Sequence, residues 1–146
     1  MHMHTNTCMT LPNFDQDCVM HNLRCAAREV SRRYDKLLRP FGVTGGQFTT
    51  LAVLSHKPGL TVGELSQAQA MDRTTTSRNV RVMVQAGLVR SSADKDDART
   101  RRLRLTAKGQ RCFDDALPAW RQAQMESARR LGDVRWDDLR DSIRHL

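Results

Sequence analysis

Residues 60–106 constrain the fold more than any other part of the chain, through the order of their signals. Thr61-Val62-Gly63-Glu64 has the form of a capping box, in which the threonine hydroxyl and the glutamate carboxylate each satisfy an amide left orphaned by the first helical turn. It opens a short helix to about Ala70 that should bury Val62, Leu65 and Ala68. Asp72 is a suitable N-cap for a second helix, and Gly87 a natural residue to end it. Residues 88–91 and 101–105 then read as two strands, with an Asp- and Arg-rich tip over 94–100 between them. Two short helices, a glycine stop and a basic hairpin make a helix-turn-helix with a β-wing, a shape that fits duplex DNA.

The second of these helices has two unlike faces. Thr76, Val80, Met83 and Val84 form its expected apolar stripe, while Thr74, Ser77, Arg78 and Arg81 recur at helical spacing on a polar one. An exposed face is normally filled with Glu and Lys pairs. This one carries hydroxyls and arginines, and no acid beyond its cap. Arg78 can donate two hydrogen bonds to guanine, and Thr74, Thr75 and Ser77 are short enough to approach base edges, thymine methyls or phosphates. In the wing, Arg99 and Arg101 suit the negative potential of a narrow minor groove. Lys95 and Arg102 read as phosphate contacts. Asp97 would repel phosphate, so its expected task is to orient a wing arginine or Arg73 through a charge-assisted hydrogen bond. Arg73 is accordingly read as structural.

Charge supports a polyanionic partner. The 146 residues hold 24 Lys and Arg against 16 Asp and Glu, a net charge of +8, and each phosphate neutralised by such a surface releases condensed counterions. A surplus spread evenly would serve only solubility; here it gathers in the second helix and the wing. No glycine-rich phosphate loop, nucleophile elbow or metal-ligand helix occurs, and Cys8, Cys18, Cys25 and Cys112 match no zinc spacing. An enzyme reading has no support, and neither a metal nor a cofactor is expected. The N-terminus lacks a secretory segment and no apolar run could span a bilayer, so a cytoplasmic protein with reduced thiols and no membrane partner is expected. Residues 1–14, with His2 and His4, read as a disordered lead.

The flanks of the lobe are helical. From about residue 15 to 39, Leu23, Ala27, Val30, Tyr34, Leu37 and Phe41 recur at three- and four-residue steps, a stripe that one helix cannot hide by itself. Thr44-Gly45-Gly46-Gln47 is a second capping box, starting a helix to about His56. After the wing, Thr106 caps a long helix to about Leu131 containing Pro118, and a last helix carries Trp136, Leu139, Ile143 and Leu146. A winged helix alone needs none of these seams, so a homodimer built by the end helices is inferred. The expected architecture is mainly α with a small β-wing: residues 15–146 form one domain, with a winged helix-turn-helix lobe at 44–106 flanked by dimerisation helices at 15–41 and 107–146.

Taken together, Asp72-Arg73, Arg78, Val80, Gly87-Leu88-Val89-Arg90, Asp97-Ala98-Arg99 and Leu103-Arg104-Leu105-Thr106-Ala107-Lys108-Gly109 resemble the signature of the MarR family. Two departures are mild: the first strand lacks a residue usual before its arginine, and Lys95 stands where proline is common. The resemblance implies a homodimer gripping a pseudo-palindromic operator, with the helix after Asp72 in the major groove and Arg99 in the minor groove. It implies a repressor released by a small ligand, phenolic or carboxylate-like, in a pocket near His21, Arg24, Cys25 and Arg28. Two alternatives remain at this stage: a thiol-based redox switch using Cys18 or Cys25, and a winged-helix protein-interaction module with no operator.

Overall fold

A computed structural model describes residues 14–146. The expected disordered lead, with His2, His4 and Cys8, lies outside the described residues, except for Phe14, which opens a short helix. The element order is α1 (Phe14–Asp17), α2 (Val19–Leu38), a 3-10 turn (Arg39–Phe41), α3 (Gly45–His56), α4 (Val62–Ala68), α5 (Arg73–Gln85), β1 (Val89–Ala93), β2 (Arg101–Leu105), α6 (Ala107–Arg129) and α7 (Trp136–Ile143). Mainly helical with a two-stranded antiparallel wing, this is the expected fold class.

The helix starts follow the capping chemistry. Thr44 and Thr61 both close full capping boxes, with Gln47 and Glu64 as the reciprocating residues. Asp72 accepts from the Thr75 amide and Thr106 from the Gly109 amide. The first helix differs from the sequence pattern, which runs unbroken from residue 15. Cys18 has extended backbone angles (φ −79°, ψ 106°) and caps α2 with its sulfur, which accepts from the His21 amide at 3.4 Å. Cys18 therefore stands outside the helix that carries Cys25.

The core lies where α3 meets α5, the wing and α6. Leu38, Phe48, Leu51, Leu54, Leu65, Val80, Met83, Leu103 and Phe113 form it. Phe48 stacks on Phe113 and on Trp120, with centroids at 5.3 and 6.0 Å, which joins α3 to α6. α5 buries Thr76, Val80 and Met83, but Val84 is 39% exposed. The apolar stripe is thus narrower than the sequence suggests, because residue i+8 is rotated about 80° from residue i at 100° per residue. In α4, Leu65 and Ser66 are buried and Ala68 is exposed, for the same reason of helical phase.

The wing pairs Val89 with Leu105, Ser91 with Leu103 and Ala93 with Arg101, one register later and longer at β1 than the sequence suggests. A third extended stretch joins it: Leu60 bridges Leu103, whose amide donates to the Leu60 carbonyl at 2.8 Å and whose carbonyl accepts from Gly59 at 2.8 Å. The wing root is therefore sewn to the segment entering α4.

One junction is very tight. Gly87 ends α5 in the left-handed region (φ 73°), and the start of α6 folds back over the carbonyls there. The Thr106 hydroxyl donates to Gly87 at 2.5 Å and Lys108 Nζ to Ala86 at 2.8 Å. A Cβ at Gly109 would lie only 2.0 Å from the Leu88 carbonyl oxygen. The run from Thr106 to Gly109 is thus the clasp that binds the end of α5 to α6.

At the ends of the chain the apolar seams are open. Val19, Met20, Leu23 and Val30 on α2, and Val134, Trp136, Ile143 and Leu146 around α7, are all at least 38% exposed. Further along α2 the seam closes on α6, where Tyr34 Oη donates to Gln124 Oε1 at 2.5 Å.

Candidate nucleic-acid interface

α5 presents Thr74, Ser77, Arg78 and Arg81 on its exposed side, opposite Thr76, Val80 and Met83. Thr75 is exposed as well, but its amide and hydroxyl both donate to Asp72, at 2.8 and 2.6 Å. It therefore fixes the start of α5 and presents to any ligand only the remaining acceptor capacity of its oxygen. The turn into α5 passes through Ala70 at φ 50°, a left-handed setting that a residue with a Cβ adopts only when its surroundings demand it.

A hub that sequence reasoning missed sets the position of α5. Thr50 of α3 is fully buried. Its Oγ1 accepts from Gln69 Nε2 at 3.0 Å and Asn79 Nδ2 at 3.3 Å while donating to the Gly46 carbonyl at 3.2 Å. One hydroxyl thus links α3 to the end of α4 and to the middle of α5. The available signal was Asn79, an amide at the border of the polar and apolar faces. Thr50→Val keeps the shape but strands two half-buried amides, and should cost about 1–2 kcal/mol. Thr50→Ser keeps the hydroxyl and should be the milder change. Denaturant unfolding of both variants checks this; a Val variant more stable than the Ser variant would rule out the hub.

The wing tip is built by carboxylates. Asp97 Oδ1 accepts from the Arg99 amide at 3.0 Å and Oδ2 from the Thr100 hydroxyl at 2.9 Å. The expected bond from Asp97 to a guanidinium is not made: Asp97 shapes the turn that carries Arg99 and does not hold an arginine side chain. Arg73 is exposed, and among the described residues its guanidinium makes no ion pair. Arg101 lies along the hairpin, donating to the Ser91 hydroxyl at 3.2 Å and the Ser91 carbonyl at 2.6 Å.

Arg102 departs from its expected role as a phosphate contact. Strand alternation places it opposite Ser92, where its Nε meets Asp94 Oδ2 at 2.6 Å and its Nη1 meets Glu64 Oε2 at 3.3 Å. The other cations of the lobe are unlike it. Among the described residues, Arg73, Arg78, Arg81, Arg90, Lys95, Arg99, Arg101 and Arg104 make no ion pair. Arg90 and Arg104 even face each other across the hairpin, an arrangement that costs stability unless a polyanion approaches.

Three carboxyls of this lobe are held below the ordinary carboxylate range. Asp72 is held chiefly by the Thr75 hydroxyl, Glu64 by the Thr61 amide, and Asp94 by the Asp96 amide and then Arg102. A folded-state pKa below the unfolded value gives stabilisation that is full above the unfolded value and is lost as pH falls through the folded one. Melting temperature should therefore fall as pH drops below about 4, the ordinary carboxylate range. Asp72→Asn, which keeps a capping oxygen, should flatten part of that decline. A melting temperature unchanged across the acid range would contradict the assignment.

His21, Arg24, Cys25 and Arg28 lie on the half of α2 whose seam is open. Cys25 Sγ is 3.6 Å from His21 Nε2. The cleft between α2 and α6 lies further along and is lined by Arg32, Arg33, Lys36, Gln122, Glu126 and Arg130 among others. The structure thus does not bring the four sequence-derived residues to that cleft. Among the described residues no group of His, Cys, Asp and Glu is arranged to hold a metal ion, and no helix is long and apolar enough to cross a membrane.

The MarR family model matches residues 41–100, from the end of the 3-10 turn to the wing tip. The transcriptional regulator MosR of M. tuberculosis, solved in complex with DNA, is 42% identical over 88% of this chain and 92% of its own, with a TM-score of 0.80. The chain belongs to the MarR family. As a MarR-family protein it is a DNA-binding transcriptional regulator, and the matched span holds the helix-turn-helix and the first strand of the wing. A probable transcriptional regulator from Pseudomonas aeruginosa, 24% identical over 89% of this chain and 97% of its own, has the same fold with a TM-score of 0.82. So does MarR of E. coli complexed with operator DNA, 18% identical over 92% of this chain and 97% of its own, at 0.81. No curated protein matches the chain.

Proposed function

We propose that the protein is a repressor that binds a pseudo-palindromic operator as a homodimer and is released by a small ligand. The observation that carries this reading is the charge pattern of the lobe: among the described residues, α5 and the wing display exposed arginines without carboxylate partners, and Arg102 is the one wing arginine neutralised within the fold. Arg78 and its hydroxyl neighbours enter the major groove, Arg99 and Lys95 reach the flanking minor groove and phosphates, and Arg101 braces the hairpin beside them. The open seams of α2 and α7 supply the dimer surface. A ligand of phenolic or carboxylate character suits the cationic side chains of α2, Arg24 and Arg28 with His21. A cytoplasmic location follows from work on chromosomal DNA.

Selection of random duplexes by the purified protein tests the operator. An inverted repeat with half-sites about one helical turn apart, roughly 34–36 Å, is the expected product. Flat enrichment with binding that simply fades with salt would sink this reading and leave the protein-interaction module. Sedimentation of the free protein as a monomer at micromolar concentration would remove the dimer.

Thiol control is the second reading, and the structure distinguishes its candidates. Cys25 is exposed and beside His21. Cys18 is half-buried and occupied as a helix cap, and burial pushes the Cys112 thiol up. If thiols control release, an organic hydroperoxide frees wild-type protein from DNA and leaves Cys25→Ser bound.

A further inference from the structure

Beside the Leu60–Leu103 bridge, one guanidinium ties the wing to the segment that opens α4. Arg102 Nε donates to Asp94 Oδ2 at 2.6 Å, and Nη1 donates to the Gly59 carbonyl at 3.2 Å and to Glu64 Oε2 at 3.3 Å. These acceptors belong to three different places: the start of the wing tip, the segment entering α4, and the first turn of α4. Each is itself anchored. Asp94 Oδ1 accepts from the Asp96 amide at 2.8 Å, Glu64 Oε2 from the Thr61 amide at 2.8 Å, and the Gly59 amide donates to Leu103. The Arg102 side chain is 35% exposed, and ion pairs as exposed as this add little to overall stability. A planar fork of donors nevertheless restricts orientation strongly. Lys95 and Arg99 lie on the same tip loop as the clamped Asp94, and both are exposed without carboxylate partners among the described residues.

We propose that Arg102 is a positioning residue for DNA binding: by bridging Asp94, Gly59 and Glu64 it fixes the angle between the wing and α5, so that Lys95 and Arg99 meet the duplex in register with Arg78. This rests on the reading of α5 and the wing as the DNA interface. It gives Asp94 and Glu64 a shared task beside a basic wing. It also makes a prediction opposite in sign to that of charge alone. Removing a carboxylate near DNA lessens repulsion, so simple electrostatics expects tighter binding. The clamp expects weaker binding.

The test uses the full-length protein, with Asp94→Asn, Glu64→Gln and a Lys95→Ala/Arg99→Ala background, against a duplex selected from a random pool by the wild type. Asp94→Asn should lower the melting temperature by no more than its share of the acid-range decline and bind the duplex about tenfold more weakly. The loss should largely vanish in the Lys95→Ala/Arg99→Ala background, where there is no wing-tip cation left to position. Amide relaxation of residues 95–99 in the free protein should show the tip loosened by Asp94→Asn. Equal or tighter binding, a loss undiminished in the tip-deleted background, or a tip as rigid as before would each overturn the clamp. A loosened tip in a protein that selects no duplex at all would overturn the DNA reading, and the positioning role with it.

Discussion

Gly109→Ala should lower the melting temperature by about 10 °C. A Cβ at this position would stand 2.0 Å from the Leu88 carbonyl oxygen. That oxygen cannot swing aside as a flexible side chain would, because it is backbone and already accepts from the Thr106 amide at 3.1 Å. Relief requires α6 and the end of α5 to separate by about an ångström, which also opens the Thr106 bond to Gly87 and the Lys108 bond to Ala86. Overpacking against an immovable group costs roughly 3 kcal/mol or more, a large share of the about 5–15 kcal/mol that stabilises a typical domain. Gly63→Ala is the matched control, since a Cβ there meets only the Thr61 hydroxyl at 3.8 Å. Thermal unfolding followed by circular dichroism reads both. If Gly109→Ala melts within about two degrees of Gly63→Ala, a shift worth well under 1 kcal/mol, the close approach does not exist.

Arg78→Ala should abolish operator recognition without touching the fold. Arg78 is exposed on α5 and, among the described residues, has no ion pair to lose. A bidentate contact from arginine to guanine is worth about 1–3 kcal/mol. The proposed dimer makes it once in each half-site, so the loss doubles to roughly 2–6 kcal/mol, about 30-fold to more than 10,000-fold in affinity. Binding to random duplex should fall far less, because phosphate contacts from the wing and Arg81 remain. Fluorescence anisotropy with the selected duplex and a scrambled one reads the difference. Equal losses on both duplexes would make Arg78 a phosphate contact, and a loss under about threefold, less than 1 kcal/mol, would remove it from the interface.

How much of this could be read in the sequence depended on whether the signal was local. Helix starts at Thr44, Thr61, Asp72 and Thr106 were legible because a cap and its partner lie within three residues. The polar face of α5 was legible because helical phase alone sorts Thr74, Ser77, Arg78 and Arg81 from Thr76, Val80 and Met83. Two of the failures depend on distant pairs and two on local detail that a pattern does not carry. Arg102 looked like one more basic wing residue until Asp94 and Glu64, eight and 38 positions away, were found against it. Thr50 looked like an ordinary threonine in an apolar helix, and its partners lie 19 and 29 residues on. Asp97 was assigned a guanidinium because opposite charges attract, yet the amide two residues away was nearer to hand. Cys18 was counted into a continuous helix because periodicity does not register a single extended residue. The motif from Thr106 to Gly109 was visible as a signature, but its purpose, clasping α5 to α6, required the Leu88 carbonyl to be seen against it.

The unpaired arginines of α5 and the wing also govern how the protein arrives at its target. Among the described residues these cations make no ion pair, so their charge reaches into solvent from α5 and the wing. Encounter with DNA is then steered rather than random, and its rate should fall steeply as salt shortens the reach of the field. Once captured, a protein held by phosphates alone can translocate along the duplex by sliding and hopping. If Arg78 reads bases as proposed, the placement of charge that makes the Arg90 and Arg104 pair costly in the free protein would shorten the search for an operator among competing sites.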